Sequence, residues 1–276
     1  MLLQLGRVSY DLSTRALVMG VLNRTTDSFF DKGAYFALDA FLARADQMVS
    51  QGADILDVGG VKAGPGPEVT EQEELERVVP AVAALRARFD LPVSVDTWRA
   101  SVAREAYAAG AVLGNDISGL ADAGYLDACA AAGASVVITH IRLAPRVPDP
   151  SPHYDDVVGE VSGFLAERAE RARDAGLSSE QIVLDAGLDL GKTWQQSLSL
   201  LRASSRLACL GYPLLLSASN KTFLGLLFGT EVDDRAGASL AAAALGVCLG
   251  CRIVRAHDVL GTSRVCRALA AVLEAR

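Results

Sequence analysis

Pro92-Val93-Ser94-Val95-Asp96-Thr97 is a short, mostly apolar run with polar residues at its end. The same form recurs at Ala16–Asn23, Ala53–Gly60, Ala111–Asn115, Ala134–His140, Ile182–Asp185, Pro213–Ser219 and Cys251–His257. A strand that is apolar throughout is buried on both faces, as in a parallel sheet covered by helices. The segments between the runs are long enough for helices. One of them opens on Thr70-Glu71-Gln72-Glu73, which has the form of a capping box. Eight strand–helix units predict an α/β chain folded as one (β/α)8 TIM barrel over residues 1–276, with a short N-terminal hairpin near Leu2–Tyr10. Strand C-termini meet at one mouth of such a barrel. The polar residues at those ends are Asn23, Asp57, Asp96, Asn115, His140, Asp185, Ser219 with Lys221, and Arg255 with His257. Their convergence points to an enzyme.

Composition narrows the partners. A net charge of −7 argues against nucleic acid, which requires a basic face. The longest uncharged apolar stretch, Ala236–Cys251, falls short of the ~20 residues a membrane span needs. It reads as a buried or subunit-facing helix. Arg7, Asp11 and Arg15 interrupt the start of the chain, so no signal peptide is expected. The five cysteines include Cys248 and Cys251, but with no second pair or nearby histidine they read as packing thiols. An odd count suits a reducing cytoplasm. Lysine occurs only at Lys32, Lys62, Lys192 and Lys221, all in or beside loops after strands. The Gly-rich stretches Asp57-Val58-Gly59-Gly60 and Ala63-Gly64-Pro65-Gly66 match neither the dinucleotide fingerprint nor a P-loop.

Six segments in register resemble the dihydropteroate synthase family. They are Gly20-Val21-Leu22-Asn23-Arg24-Thr25-Thr26-Asp27-Ser28-Phe29, Ser94-Val95-Asp96-Thr97-Trp98-Arg99-Ala100, Asn115-Asp116-Ile117-Ser118-Gly119, Leu184 to Thr193, Ser219-Asn220-Lys221 and Arg255-Ala256-His257-Asp258-Val259. The resemblance implies a transferase of folate biosynthesis. It would join 6-hydroxymethyl-7,8-dihydropterin diphosphate to p-aminobenzoate with release of pyrophosphate. It implies Asp96, Asn115, Asp185 and Lys221 as pterin-binding residues, which suits a ring edge with adjacent donors and acceptors. Asn23, Lys62, Arg255 and His257 would face the diphosphate, and Asn23 would help ligate Mg2+. Asp96, Lys221, Arg255 and His257 would carry catalysis, and a homodimer through the late helices is expected. For His140 a hydrogen-bonded core role is the expectation. Asp96 or Asp185 taken alone could equally be a helix cap, and Arg255 could pair with an aspartate.

The second-substrate side departs from the family pattern. Where the family places Glu-Ser-Thr-Arg-Pro-Gly, this chain has Val61-Lys62-Ala63-Gly64-Pro65-Gly66. Its Ser-Arg-Lys becomes Ser219-Asn220-Lys221, its usual aromatic becomes Leu190, and its Met after the strand-5 histidine becomes Ile141. A lysine does not reproduce an arginine fork. Weak condensation of p-aminobenzoate is therefore expected. Two other readings stand beside it: an inactive pterin-binding paralogue, and a methyltetrahydrofolate-type methyltransferase. The Ser219–Lys221 and Arg255–Asp258 strings oppose the last, because a methyl donor has no diphosphate to hold.

Overall fold

The computed structural model describes residues 1–24 and 37–274. Thr25 to Phe29 of the first motif, and Lys32, lie outside the described residues.

Eight parallel strands close on themselves in the order β10-β3-β4-β5-β6-β7-β8-β9. They are β3 (Leu17–Asn23), β4 (Ile55–Gly59), β5 (Val93–Asp96), β6 (Leu113–Asp116), β7 (Ser135–Thr139), β8 (Ile182–Asp185), β9 (Leu214–Leu216) and β10 (Cys251–Ala256). Each falls within or within one residue of a predicted run. The runs read one to three residues long at their ends because loop residues beside a barrel strand are buried too. Ala218, for example, is buried beyond the end of β9.

Each strand is followed by a helix that covers it: α1 (Leu38–Ser50), α2 (Glu71–Arg88), α3 (Ala100–Ala108), α4 (Tyr125–Ala132), α5 (Val157–Asp174), α6 (Trp194–Arg202), α9 (Ala236–Cys248) and α10 (Val259–Glu274). Two shorter helices, α7 (Ser204–Ala208) and α8 (Thr222–Phe228), fall in the sixth and seventh connections. The capping box forms as read. Thr70 N–H donates to Glu73 Oε2 at 2.8 Å, and Glu73 N–H donates to Thr70 Oγ1 at 3.2 Å. The helix after β5 starts at Ala100, three residues beyond the end of the Pro92–Thr97 run. Its first amide is held by Asp122 rather than Asp96 (Ala100 N–H to Asp122 Oδ2, 2.8 Å), which leaves the Asp96 carboxylate free of capping.

The barrel interior is layered. Its lower part packs Leu17, Met19, Ile55, Leu113, Val137, Val183, Leu215 and Ile253. The antiparallel hairpin of β1 (Leu2–Leu5) and β2 (Val8–Asp11) stoppers this end with Leu3 and Leu5, while Leu12 packs beside them. Burial of each such side chain contributes roughly 1.5–3 kcal/mol. The apolar plug leaves only the upper end open, and that is where polar side chains enter. Among the described residues, no helix is long and apolar enough to cross a membrane.

Candidate active site

One rung of the barrel builds most of the site. Asn23 pairs in register with Gly59, Gly59 with Asp96, and Asp96 with Asn115, across β3, β4, β5 and β6. Register partners in a sheet point to the same face, so these residues share one level of the interior. Gly59 leaves the gap between them. A Cβ there would stand 3.3 Å from Asn23 Oδ1 and 3.5 Å from Asp96 Cβ.

The remaining strands supply the opposite wall. Asn23, Lys62, Asp96, Asn115, Asp185, Leu190, Ser219, Asn220, Lys221, Arg255 and His257 all line one cavity of about 310 Å3 at the open end. Every site residue expected from sequence is therefore brought to a common space. A larger cavity of about 440 Å3 lies among α1, α9 and α10, and shares Ser219, Asn220, Arg255 and His257 with the first. The smaller one holds the Asp96 carboxylate and the Asn23 and Asn115 amides of the rung together with Asp185, and it is the candidate site.

Arg255 organises the centre. Its Nε donates to Asp57 Oδ2 at 2.6 Å and its Nη2 to Asp96 Oδ2 at 2.7 Å. Asn115 Nδ2 donates to the same Asp57 oxygen at 3.1 Å. Burial works against the Arg255 cation, but Asp57, Asp96 and Asp185 outweigh it and hold the guanidinium above its ordinary range. Burial pushes Asp96 up to about 7, with Arg255 pulling the other way and Asp57 adding to the rise. Asp57 is fully buried and is a residue whose part sequence reasoning missed. It stood among the strand-end polar residues, but nothing in the sequence said it would join Arg255 to Asn115.

Asp185 and Lys221 lie close enough on this wall to interact electrostatically. Burial raises the Asp185 pKa, opposed chiefly by Lys221, while its Oδ1 accepts the Gly187 N–H at 2.8 Å. Burial lowers the Lys221 pKa, opposed by Asp185 and Asp189, and its Nζ donates to the Leu188 carbonyl at 2.6 Å. Gly187 has φ +64°, and a side chain there would collide with the His140 carbonyl oxygen. Only glycine brings the loop after β8 so close to that after β7.

His257 stands at the other end of the cavity. Its N–H donates to Ser219 Oγ at 3.1 Å, and its Nδ1 lies 3.1 Å from the same hydroxyl. Burial, then Arg255, lowers its pKa to about 3, so the ring is neutral at physiological pH. Ser219 is thus partly committed to His257. Asn220 is committed as well: its N–H donates to Ser239 Oγ at 3.0 Å, and Ser239 Oγ–H reaches its Oδ1 at 3.4 Å.

His140 lies outside this cavity, as its expected core role requires. Its Nδ1 accepts from Lys192 Nζ at 2.8 Å, and its ring packs edge-on to Phe164 with centroids 4.8 Å apart. Lys192 also donates to the carbonyls of Gly187 (2.8 Å) and Leu190 (3.0 Å), tying together the loops behind the site.

A parallel barrel with a polar heterocycle-sized throat, two buried carboxylates and a cationic end defines a small-molecule-binding enzyme scaffold. Residues 19–257 match the family model described as pterin binding enzyme. The chain is 39% identical to the dihydropteroate synthase of Synechocystis, over 96% of this chain and 93% of that protein. It is 42% identical to a Mycobacterium leprae protein named inactive dihydropteroate synthase 2, over 94% of this chain and 91% of that one. The Yersinia pestis dihydropteroate synthase, solved as a sulfonamide drug complex, superposes with a TM-score of 0.95 at 39% identity, covering all of both chains. The chain belongs to the dihydropteroate synthase family of pterin-binding enzymes.

Proposed function

We propose that this protein binds 6-hydroxymethyl-7,8-dihydropterin diphosphate in the throat cavity and joins it to p-aminobenzoate only slowly. The observation that carries this reading is the meeting of Asp96, Asn115, Asp185 and Lys221 around one cavity that Arg255 and His257 also line. The two carboxylates accept N–H bonds from the ring, and Asn115 both donates and accepts. Lys221 contacts the ring beside Asp185. Arg255, His257 and Lys62 face the diphosphate. As pyrophosphate leaves, negative charge grows on its bridging oxygen. Arg255 and Lys62 as cations, with the neutral His257 ring as a hydrogen-bonding group, are fixed beforehand and stabilise that charge at no cost in reorganisation. Asp96 and Asp185 favour the positive charge left on the pterin methylene and ring.

Asn23 is the oxygen donor that would hold Mg2+. Its Oδ1 lies beside Gly59 on the rung that carries Asp96, and a lone amide oxygen suits an ion that takes few protein ligands and several phosphate oxygens. Among the described residues, no cluster of three or more His, Cys, Asp or Glu could hold a metal. Held by Asn23 beside the diphosphate, the ion would neutralise phosphate charge.

The acceptor side supports the slow condensation. Ala63, Gly64 and Leu190 line the cavity where the family has larger or charged groups, and Asn220 is engaged by Ser239. The relative named inactive points the same way. A pyrophosphate-release assay with p-aminobenzoate tests this reading. Release at the rate of an ordinary synthase contradicts it.

The protein is further proposed to act in the cytoplasm as a homodimer. All five cysteines are unpaired, which suits a reducing compartment. Leu226 and Phe228 on α8 are each 61% exposed, and Leu245 on α9 is exposed as well. A second copy of the chain would cover such apolar groups. Light scattering that finds only a monomer would contradict the dimer.

A further inference from the structure

The geometry assigns Arg146, in the segment between β7 and α5, as the positioning residue of the rewritten second loop. That loop has no regular structure, and its Ala63-Gly64-Pro65-Gly66 core offers no side chain able to anchor it. Its carbonyls are held from outside. Arg146 N–H donates to the Ala63 carbonyl at 3.1 Å, its Nη1 to the Lys62 carbonyl at 3.3 Å, and its Nη2 to the Pro67 carbonyl. The flanks are held the same way, with Arg77 Nη1 on the Gly60 carbonyl at 3.0 Å and Arg99 Nη2 on the Val69 carbonyl at 2.8 Å. Arg146 alone grips the middle of the loop from the far side of the mouth, among the described residues.

Arg146 adopts φ +67°, a left-handed conformation that few side chains take without strain. The turn holding it there is braced by Val147 N–H on the Ala144 carbonyl at 3.2 Å and by the Arg142–Asp149 ion pair. The left-handed turn aims both the amide and the side chain of residue 146 at one loop. A planar guanidinium reaches two separate carbonyls, whereas a lysine ammonium is a point donor on a flexible stem. The result is that Lys62 stays at the rim of the throat cavity, where Ala63 and Gly64 also sit. What Lys62 does there rests on the diphosphate reading; the clamp itself does not.

Two variants of the full-length protein test it. Arg146→Gly keeps the left-handed backbone and removes the fork, and Arg146→Lys keeps the charge. Trypsin cleavage between Lys62 and Ala63 is expected to quicken by about tenfold in both variants, because proteolysis follows the population of the opened loop. Cleavage after the buried Lys192 should stay as in the unaltered protein. The affinity for 6-hydroxymethyl-7,8-dihydropterin diphosphate should fall about fivefold, as expected for one weakened charge-assisted contact, while that for 6-hydroxymethylpterin without the diphosphate stays unchanged. Unchanged cleavage after Lys62, equal quickening after Lys192, or equal loss of affinity for both ligands would overturn the assignment. If the unaltered protein binds neither pterin, the functional reading fails, and the cleavage pattern still decides for or against the clamp.

Discussion

Arg255 Nε lies 2.6 Å from Oδ2 of Asp57, a carboxylate with no solvent exposure, on the strand two places around the barrel. The same oxygen accepts from Asn115, so one buried carboxylate fixes both the Arg255 guanidinium and the Asn115 amide. Asp57 positions the site without needing to touch a ligand.

Removing that carboxylate should therefore act on both halves of the site. Breaking a buried ion pair from one side costs about 3–5 kcal/mol, because the remaining charge loses its partner. Asp57→Ala is expected to lower stability by roughly 3 kcal/mol, toward the lower limit of that range because the Arg255 side chain retains 16% exposure and Asp96 as a second partner. Urea titration measures it. A loss below about 1 kcal/mol, the size of an ordinary exposed pair, would show that Asp57 does not hold Arg255.

The second loop offers a gain-of-function test. A Cβ at Gly64 would meet only Lys62 Cε, at 3.7 Å, so a side chain fits without displacing backbone. The double substitution Ala63→Thr with Gly64→Arg should raise p-aminobenzoate condensation at least tenfold, since a charge-assisted contact is worth about 1.5–3 kcal/mol. Steady-state pyrophosphate release reads the outcome. No increase, in a protein that still binds the pterin diphosphate, would place the defect elsewhere.

Lys192 gives a prediction about pH. Burial lowers its pKa to about 7, against about 10.4 in an unfolded chain. Between those values the unfolded state holds a proton that the folded state has released. Stability contributed by this residue therefore rises with pH across that window, by at most about 1.4 kcal/mol per pH unit. Lys221 shifts in the same direction, so the comparison of interest is between the unaltered protein and Lys192→Met. The variant should show a shallower rise between about pH 7 and 10. Equal slopes in the two proteins would refute the linkage.

The fold was legible because its signals are local. Val136 to Ile138 and Ile182 to Leu184 are apolar on both faces, and Thr70 with Glu73 marks a helix start without tertiary help. The rung of Asn23, Asp96 and Asn115 was legible too, since each lies at or next to a strand end and strand ends share a mouth. What escaped depends on pairing across the barrel. Asp57 looks like any strand aspartate until Arg255 is placed against it, 198 residues later. Lys192 reads as one more loop lysine, and only the crossing of the loops after β7 and β8 buries it on His140. Arg146 sits in a Pro-rich stretch with no periodicity, and its partners at Lys62, Ala63 and Pro67 are about eighty residues away.

The central claim is that the throat grips a pterin by its hydrogen-bonding edge, with Asp185 as one of the two carboxylates. Calorimetric titration of the protein and of Asp185→Asn with 6-hydroxymethyl-7,8-dihydropterin diphosphate and Mg2+ tests it most directly. The account predicts saturable binding at one site per chain, weakened at least tenfold by the substitution, as loss of a charged acceptor of about 1.5–3 kcal/mol requires. No binding to the unaltered protein, or equal affinity in the two, would contradict it.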